Sequence, residues 1–185
     1  MIQQVLSIIA QQLNNDLQRR FSLDDGIDSL GNLCTTNTPN EQLENNKIIL
    51  TLINVQQEQI KANLSPRGSF SKRRPTLNLN LSVLLTAHFQ DYNTSLKLLS
   101  STLSFFQDSP LFTSQNTPEL NNYAERVSLE IVNMNPLELS SLWSMLGTTY
   151  QPSVIYKFSI LGINEPPIVS SIDHKVSVTQ ENLNP

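Results

Sequence analysis

The sequence is poor in the residues that usually carry out chemistry. Its 185 residues include one cysteine, Cys34, and two histidines, His88 and His174. A single cysteine excludes an intramolecular disulfide and a cysteine-based zinc cluster, so we expect a reducing compartment. Neither histidine lies in a motif that would pair it with Cys34 or a serine as a nucleophile, so we expect no enzyme; a hydrolase would have to depend on His88 or Cys34.

Phosphate and metal motifs are also missing. The chain has five glycines, but neither a Gly-Lys-Ser/Thr sequence nor a spaced glycine triplet, so no phosphate cradle is predicted. The stretch DDGID brings Asp24, Asp25 and Asp28 together without the donor spacing or the closing glutamate of a calcium loop. We interpret it as an Asp/Gly turn, and we predict no cofactor and no metal.

No run of about 18 apolar residues, the length of a membrane span, occurs in the chain. The first residues, MIQQVLSIIAQQLNNDLQRRF, lack the basic leader and the cleavage site of a signal peptide. We therefore expect a soluble protein without autonomous export and without a membrane partner.

Charge is scarce as well. Charged residues make up 15% of the chain, against about 25% in typical soluble domains. The net charge of −4 gives no general attraction to nucleic acid or to an anionic membrane. An uncharged polar surface repels its own copies weakly, which is compatible with self-assembly.

The basic residues that do occur are concentrated in one loop, residues 61–75, which contains SPRGSFSKRRP. Its cations Arg67, Lys72, Arg73 and Arg74 suit an acidic protein surface or phosphates. We favour protein contact, because only Phe70 could stack on a base, and nucleic-acid strands are usually bound by several aromatic side chains. A nucleic-acid- or protein-binding adaptor acting through this loop stays open as the alternative function.

Three helices are predicted from apolar spacing. The first begins at the start of the chain, and the second runs from an Asp91 cap to about Gln107. In the third, Asn135, Pro136 and Glu138 form a capping signal and Gly147 ends the helix. The expected buried faces are Ile2, Val5, Leu6, Ile9, Leu13 and Leu17; then Tyr92, Leu96, Leu99, Leu103 and Phe106; then Leu139, Leu142, Trp143 and Leu146.

Four strands complete the prediction. KIILTLINVQ, residues 47–56, is apolar on both alternating sets near its start, and TLNLNLSVLLTAHF alternates as a half-buried strand should. The two form a long hairpin. RVSLEIVNM is the third strand, with Val127, Leu129 and Ile131 inward, and the fourth follows Pro152. The fold class is α+β, a four-stranded mixed sheet packed with about three helices.

The chain divides into one domain, residues 1–164, and a polar C-terminal arm or linker, residues 165–185. The arm has a Pro-Pro pair at its start and no sustained apolar pattern, so we expect it to order only against a partner. Within the domain, residues 21–46 are interrupted by turn-forming residues and are predicted to be an irregular connection.

The run LLTAHFQDYNTSLKLLSSTLSFFQDSPLFTSQNTPEL, preceded by LINVQQEQ and followed by LSSLWSMLGTTYQPSVIYKFSILGI, resembles a known family. It is similar to the N-terminal domain of the tail-terminator, or cap, proteins of extracellular contractile injection systems of the antifeeding-prophage type. The resemblance covers nearly all of residues 1–164 and is poorest in residues 21–46 and in the arm.

The resemblance implies a phage tail-terminator-like fold and a structural role without a reaction. It implies a hexameric ring at the end of the tail distal to the baseplate, which stops polymerisation of the inner tube and sheath. Such a chain would be assembled in the bacterial cytoplasm as part of a particle. We expect Leu142, Trp143, Tyr156 and Phe158 to be scaffold or subunit-contact residues.

Overall fold

The computed structural model describes residues 1–21, 28–30, 46–58 and 77–162. Three α-helices are present, α1 (Ile2–Phe21), α2 (Tyr92–Asp108) and α3 (Pro136–Leu146), with one 3₁₀ helix at Pro118–Asn122. The strands are β1 (Asp28–Leu30), β2 (Lys47–Gln57), β3 (Leu79–His88), β4 (Leu111–Thr113), β5 (Arg126–Val132) and β6 (Ser153–Leu161). The basic loop and the C-terminal arm lie outside the described residues.

The strands form one sheet in the order β1-β2-β3-β6-β5-β4. The five strands from β2 to β4 in this order are antiparallel to their neighbours, and β1 adds to the edge of β2 in parallel. The α+β class and the three helices are confirmed, and so is the β2–β3 hairpin. The prediction of four strands is wrong, because β1 and β4 extend the sheet to six.

β1 also corrects the irregular connection predicted over residues 21–46. Asp28–Leu30 lies beside Ile48–Leu50. At the other edge, Leu111–Thr113 lies beside Arg126–Ser128. Each is three residues long, which is too short for an alternating pattern to stand out from its surroundings.

The larger core lies between one face of the sheet and the helices α1 and α2. The predicted stripe of α1 faces this core: Val5, Leu6, Ile9, Leu13 and Leu17 are buried. Aromatic rings pack at its centre, where Phe106 lies 5.0 Å from Tyr156 and 6.4 Å from Phe158 between ring centroids. Edge-to-face arrangements at such distances stabilise beyond the area that they bury.

The buried face of α2 differs in part from the predicted one: Phe106 is buried, and Leu99 and Leu103 are partly buried against the larger core. Tyr92 and Leu96 are exposed, and the buried residues are Ser95, Leu98, Thr102, Phe105 and Phe106. Thr102 can face the core because its hydroxyl donates to the Leu98 carbonyl at 2.9 Å within the helix. The apolar residues of α2 span about half of its circumference, so their spacing did not decide which part of that half is covered.

The smaller core lies on the opposite face of the sheet, under α3. Leu142, Trp143 and Leu146 of the helix pack against Ile49, Leu84 and Ile155 of the sheet. Ile49 alternates with Ile48 and Leu50, which belong to the larger core, so β2 is covered on both faces near its start as predicted. β3 was expected to be half-buried, but Leu84 and Thr86 are buried too, so its second half is covered on both faces.

Candidate assembly interface

The ends of α3 hold the helix in place on the sheet. The Asn135 side-chain oxygen accepts from the Glu138 amide at 2.9 Å, and the Glu138 carboxylate accepts from the Asn135 amide at 3.0 Å. Gly147 ends the helix at φ 66° and ψ 23°, a left-handed conformation that glycine adopts without a Cβ penalty. The predicted capping box and glycine stop are therefore confirmed.

The outer side of α3 is apolar and nearly uncharged. Leu137 and Met145 are 76% and 66% exposed, and they lie eight residues apart, on one stripe of the helix. Tyr150, just beyond the helix, is 62% exposed. Glu138 is the helix's one charged residue, and its carboxylate is occupied in the cap. We call Leu137, Met145 and Tyr150 the α3 surface.

A groove of about 570 Å³ runs along an adjacent side of α3 and shares Tyr150 with the α3 surface. It is lined by Pro136, Leu139, Ser140, Trp143, Ser144, Gly147, Thr148, Thr149 and Tyr150, none of which carries a charge. The Tyr150 ring meets the Trp143 ring edge-to-face at 5.5 Å. The buried Trp143 Nε1–H finds no acceptor among the described residues. Aromatic and methionine side chains without charge are typical of the centre of a protein interface.

The rest of this sheet face is polar. Beyond α3 it carries small uncharged side chains, and the Ser159 hydroxyl donates to the Asn80 side-chain oxygen at 2.7 Å. Lys157 forms an ion pair with Glu130 on the neighbouring strand. The hydrogen bond from Lys157, with its positive charge, lowers the pKa of Glu130 below its ordinary value.

The eight residues predicted from the sequence to be contact or scaffold residues lie in three different parts of the chain. Leu142 and Trp143 are buried under α3, and Tyr156 and Phe158 are buried in the larger core on the opposite face. Burial also raises the pKa of the Tyr156 hydroxyl. The cations Arg67, Lys72, Arg73 and Arg74 lie outside the described residues. The structure thus places the apolar four inside one chain, on two sides of the sheet, and their role as scaffold residues stays a prediction.

The exposed residues of the α3 surface were not singled out from the sequence. Leu137, Ser141 and Met145 repeat at four-residue spacing, so a second stripe on the helix was visible in principle. The buried stripe of Leu142, Trp143 and Leu146 drew attention away from it. One sheet face can cover only one side of such a helix, so the apolar residues on its other side remain exposed.

The described residues contain no group of three or more His, Cys, Asp or Glu side chains placed to hold a metal ion. His88 ends β3 and has an interaction partner of its own. In the same ranges, none of the helices has the length and apolarity needed to span a bilayer.

Comparisons with known proteins identify a family and a similar fold. A family described as the Pvc16 N-terminal domain matches residues 4–172. A cryo-EM structure of an extracellular contractile injection system, the PVC sheath/tube terminator in its extended state, is similar in fold, with a TM-score of 0.52 and 14% identity. The match covers 97% of this chain and 65% of the terminator chain. No curated protein matches this sequence.

Proposed function

Because the chain belongs to the family described as the Pvc16 N-terminal domain, we propose that it is a structural terminator of a contractile injection system. The family match over residues 4–172 carries this proposal. The likeness to the PVC terminator supports it at the level of fold, since the two chains share 14% of their residues. This chain spans about 65% of the length of that terminator chain, so its association with tube and sheath is proposed.

In the proposed mechanism six copies form a ring at the end of the tail distal to the baseplate. The ring ends the polymerisation of inner tube and sheath, because it presents a surface to which no further subunit adds. Closure requires contacts of about 800 Å² on each partner. The α3 surface is the described region best suited to such a contact, because it is apolar, uncharged and bordered by a groove.

The basic loop and the arm are proposed to reach neighbouring rings. Arg67, Lys72, Arg73 and Arg74 would contact acidic surfaces of sheath or tube after assembly in the bacterial cytoplasm. Cross-linking of intact particles should join Lys72 to another polypeptide. If the loop cross-links to nothing and the purified chain binds nucleic acid with a steep salt dependence, the adaptor function replaces this part of the proposal.

The mass of the purified chain tests the ring. We expect a hexamer, and a charge at the centre of the α3 surface should disrupt it, because an unpaired carboxylate is costly to bury. The variant Met145→Glu should shift the mass to the monomer, whereas Gln107→Glu, on the exposed side of α2, should leave the hexamer intact. A monomeric wild-type chain contradicts the ring. A hexamer in both variants shows that subunits meet elsewhere.

A further inference from the structure

The outer edge of β5 is paired over less than half of its length. β5 runs from Arg126 to Val132, and β4 pairs only with Arg126–Ser128. One hydrogen bond continues this ladder, from the Leu129 amide to the Pro110 carbonyl at 2.9 Å. Within the described ranges, no strand lies beside the remainder of this edge.

Pro110 is the residue that ends the pairing. Opposed residues of an antiparallel ladder exchange two hydrogen bonds, but proline has no amide hydrogen to return to Leu129. Outward-pointing backbone groups alternate along a strand, so those of Ile131 face the same way as those of Leu129. Both backbone groups of Ile131 are therefore open to a further strand, whereas the position opposite Leu129 is occupied by Pro110. We call Leu129–Val132 the β5 edge.

The side chains around the β5 edge do not protect it. Natural edge strands are usually blunted by charges, prolines or bulges that prevent pairing with another chain. Ile131 is 48% exposed, which corrects its predicted inward position, and the charge of the adjacent Glu130 is engaged by Lys157. A cavity of about 200 Å³ opens at this end of the strand, lined by uncharged residues only: Ile131, Val132, Asn133, Met134, Leu139, Ser153, Val154 and Ile155.

We infer that the β5 edge receives a strand from a second copy of this chain, and that residues 175–180 supply it. Their sequence, KVSVTQ, alternates Val176 and Val178 with polar residues. Two valines are not a sustained apolar pattern, but an edge of four residues needs only two apolar side chains on one face. The segment carries no charge after Lys175.

The path of the chain favours a neighbour as the recipient. β6 ends where Leu161 lies beside Arg126, and at that level Thr113 of β4 already occupies the outer side of β5. To reach its own β5 edge, the segment after Leu161 would have to pass around β4. Residues 163–174 can span up to about 40 Å when extended, a tether length that permits transfer of the segment to an adjoining copy. The inference rests on the proposed ring, which brings the copies together.

Disulfide trapping between two differently tagged full chains tests the inference. Both chains carry Cys34→Ser; one also carries Ile131→Cys and the other Val178→Cys or Val176→Cys. After mixing, assembly and oxidation, we expect a mixed disulfide between Ile131→Cys and at least one donor. The matched control is Leu96→Cys, which is 40% exposed on α2, away from any strand edge, and should cross-link at least tenfold less.

Equal yields from the two acceptor positions would overturn the inference. A bond that forms only within a chain carrying both cysteines would overturn it too, because the strand would then come from the same copy. If the chain is hexameric but forms no mixed disulfide, the strand exchange is contradicted and the proposed function is unaffected. A mixed disulfide in the absence of a hexamer removes the ring and keeps the strand exchange.

A proline variant supplies a second readout. Ile131→Pro removes an outward amide hydrogen that no described strand accepts, at an edge position where proline is tolerated. It also replaces a half-exposed side chain and fixes φ, so thermal unfolding must first show that the variant is folded. Loss of one intermolecular hydrogen bond should weaken self-association about fivefold, whereas Ile131→Val, which keeps the amide, should associate like the wild type. Unchanged association of Ile131→Pro contradicts strand addition at this edge.

Discussion

The two faces of the sheet differ in how they are covered. On one face, α1 and α2 close a large core in which Phe106, Tyr156 and Phe158 are buried. On the other face, α3 covers one end with a smaller cluster around Trp143, and the remainder carries exposed or half-buried polar side chains. Both faces are formed by the same strands, so the difference lies in the helices that pack on each face.

We expect one face of the sheet to contribute mainly to folding stability and the other face to contribute to contacts with neighbouring chains. The larger core is closed by two helices, although Tyr92 and Leu96 are exposed on the outer side of α2, and we expect it to contribute mainly to folding. The smaller core has the apolar α3 surface on its outer side and the β5 edge at its border, and both offer surface to another chain. The face that is less completely covered within one chain is therefore the face that we expect to meet neighbours.

The largest expected effect comes from the larger core. Phe158→Ala should lower the free energy of unfolding by about 4 kcal/mol, because a fully enclosed ring leaves a cavity that its neighbours cannot fill. Its neighbour Ser159 points to the other face, and Ser159→Ala should cost about 1 kcal/mol for its hydrogen bond to Asn80. Denaturant unfolding of both variants measures the difference. Similar costs would show that the two faces contribute equally.

A smaller loss is expected under α3. Trp143→Ala should cost about 3 kcal/mol, at the low end of the range for buried tryptophan, because Tyr150 can move into the space beside the groove. Trp143→Phe should cost about 1 kcal/mol, since the indole N–H that it removes has no acceptor among the described residues. If Trp143→Ala is as costly as Phe158→Ala, the smaller core is as tightly closed as the larger one.

The C-terminal end of α3 should respond more weakly. Gly147→Ala should cost about 1 kcal/mol, because alanine is strained in the left-handed conformation. No atom lies within 4 Å of the added Cβ, so the cost is that of the backbone alone. Thermal unfolding of this variant, with the exposed Ser144→Ala of the same helix as a control near zero, checks the estimate. A neutral Gly147→Ala would mean that the helix can end in another conformation.

The smallest effect concerns the ion pair on the polar part of the second face. Lys157 lowers the folded pKa of Glu130, so the stabilisation is present above the ordinary carboxyl pKa and is lost as pH falls through the lowered value. NMR titration should find the pKa of Glu130 below the ordinary range in the wild type and near it in Lys157→Gln. Added salt should reduce the shift, because the pair is partly exposed. An equal pKa in both proteins contradicts the pairing.

Local signals predicted much of this fold. The capping box of Asn135 and Glu138 and the glycine at 147 fixed both ends of α3, because these bonds join residues three or four positions apart. The hairpin of β2 and β3 followed from two alternating runs that are close in sequence. These features depend on neighbours along the chain, which a sequence shows directly.

The predictions that were wrong concern features that depend on residues distant in the sequence. β1 and β4 exist because an adjacent strand edge pairs with three residues, and nothing within the three residues predicts it. Ile131 alternates correctly with Val127 and Leu129, but the core ends before it, so it remains exposed. The α3 surface was missed for the same reason, because an exposed Met145 differs from a buried methionine only in whether another element packs against it.

The length of particles assembled without this chain tests the central claim most directly, namely that it ends polymerisation through its shape and contacts. Electron micrographs of deletion particles should show tubes and sheaths of widely varying length, and the wild-type chain should restore one uniform length when supplied again. Deletion particles of the same uniform length as wild-type particles would contradict the account.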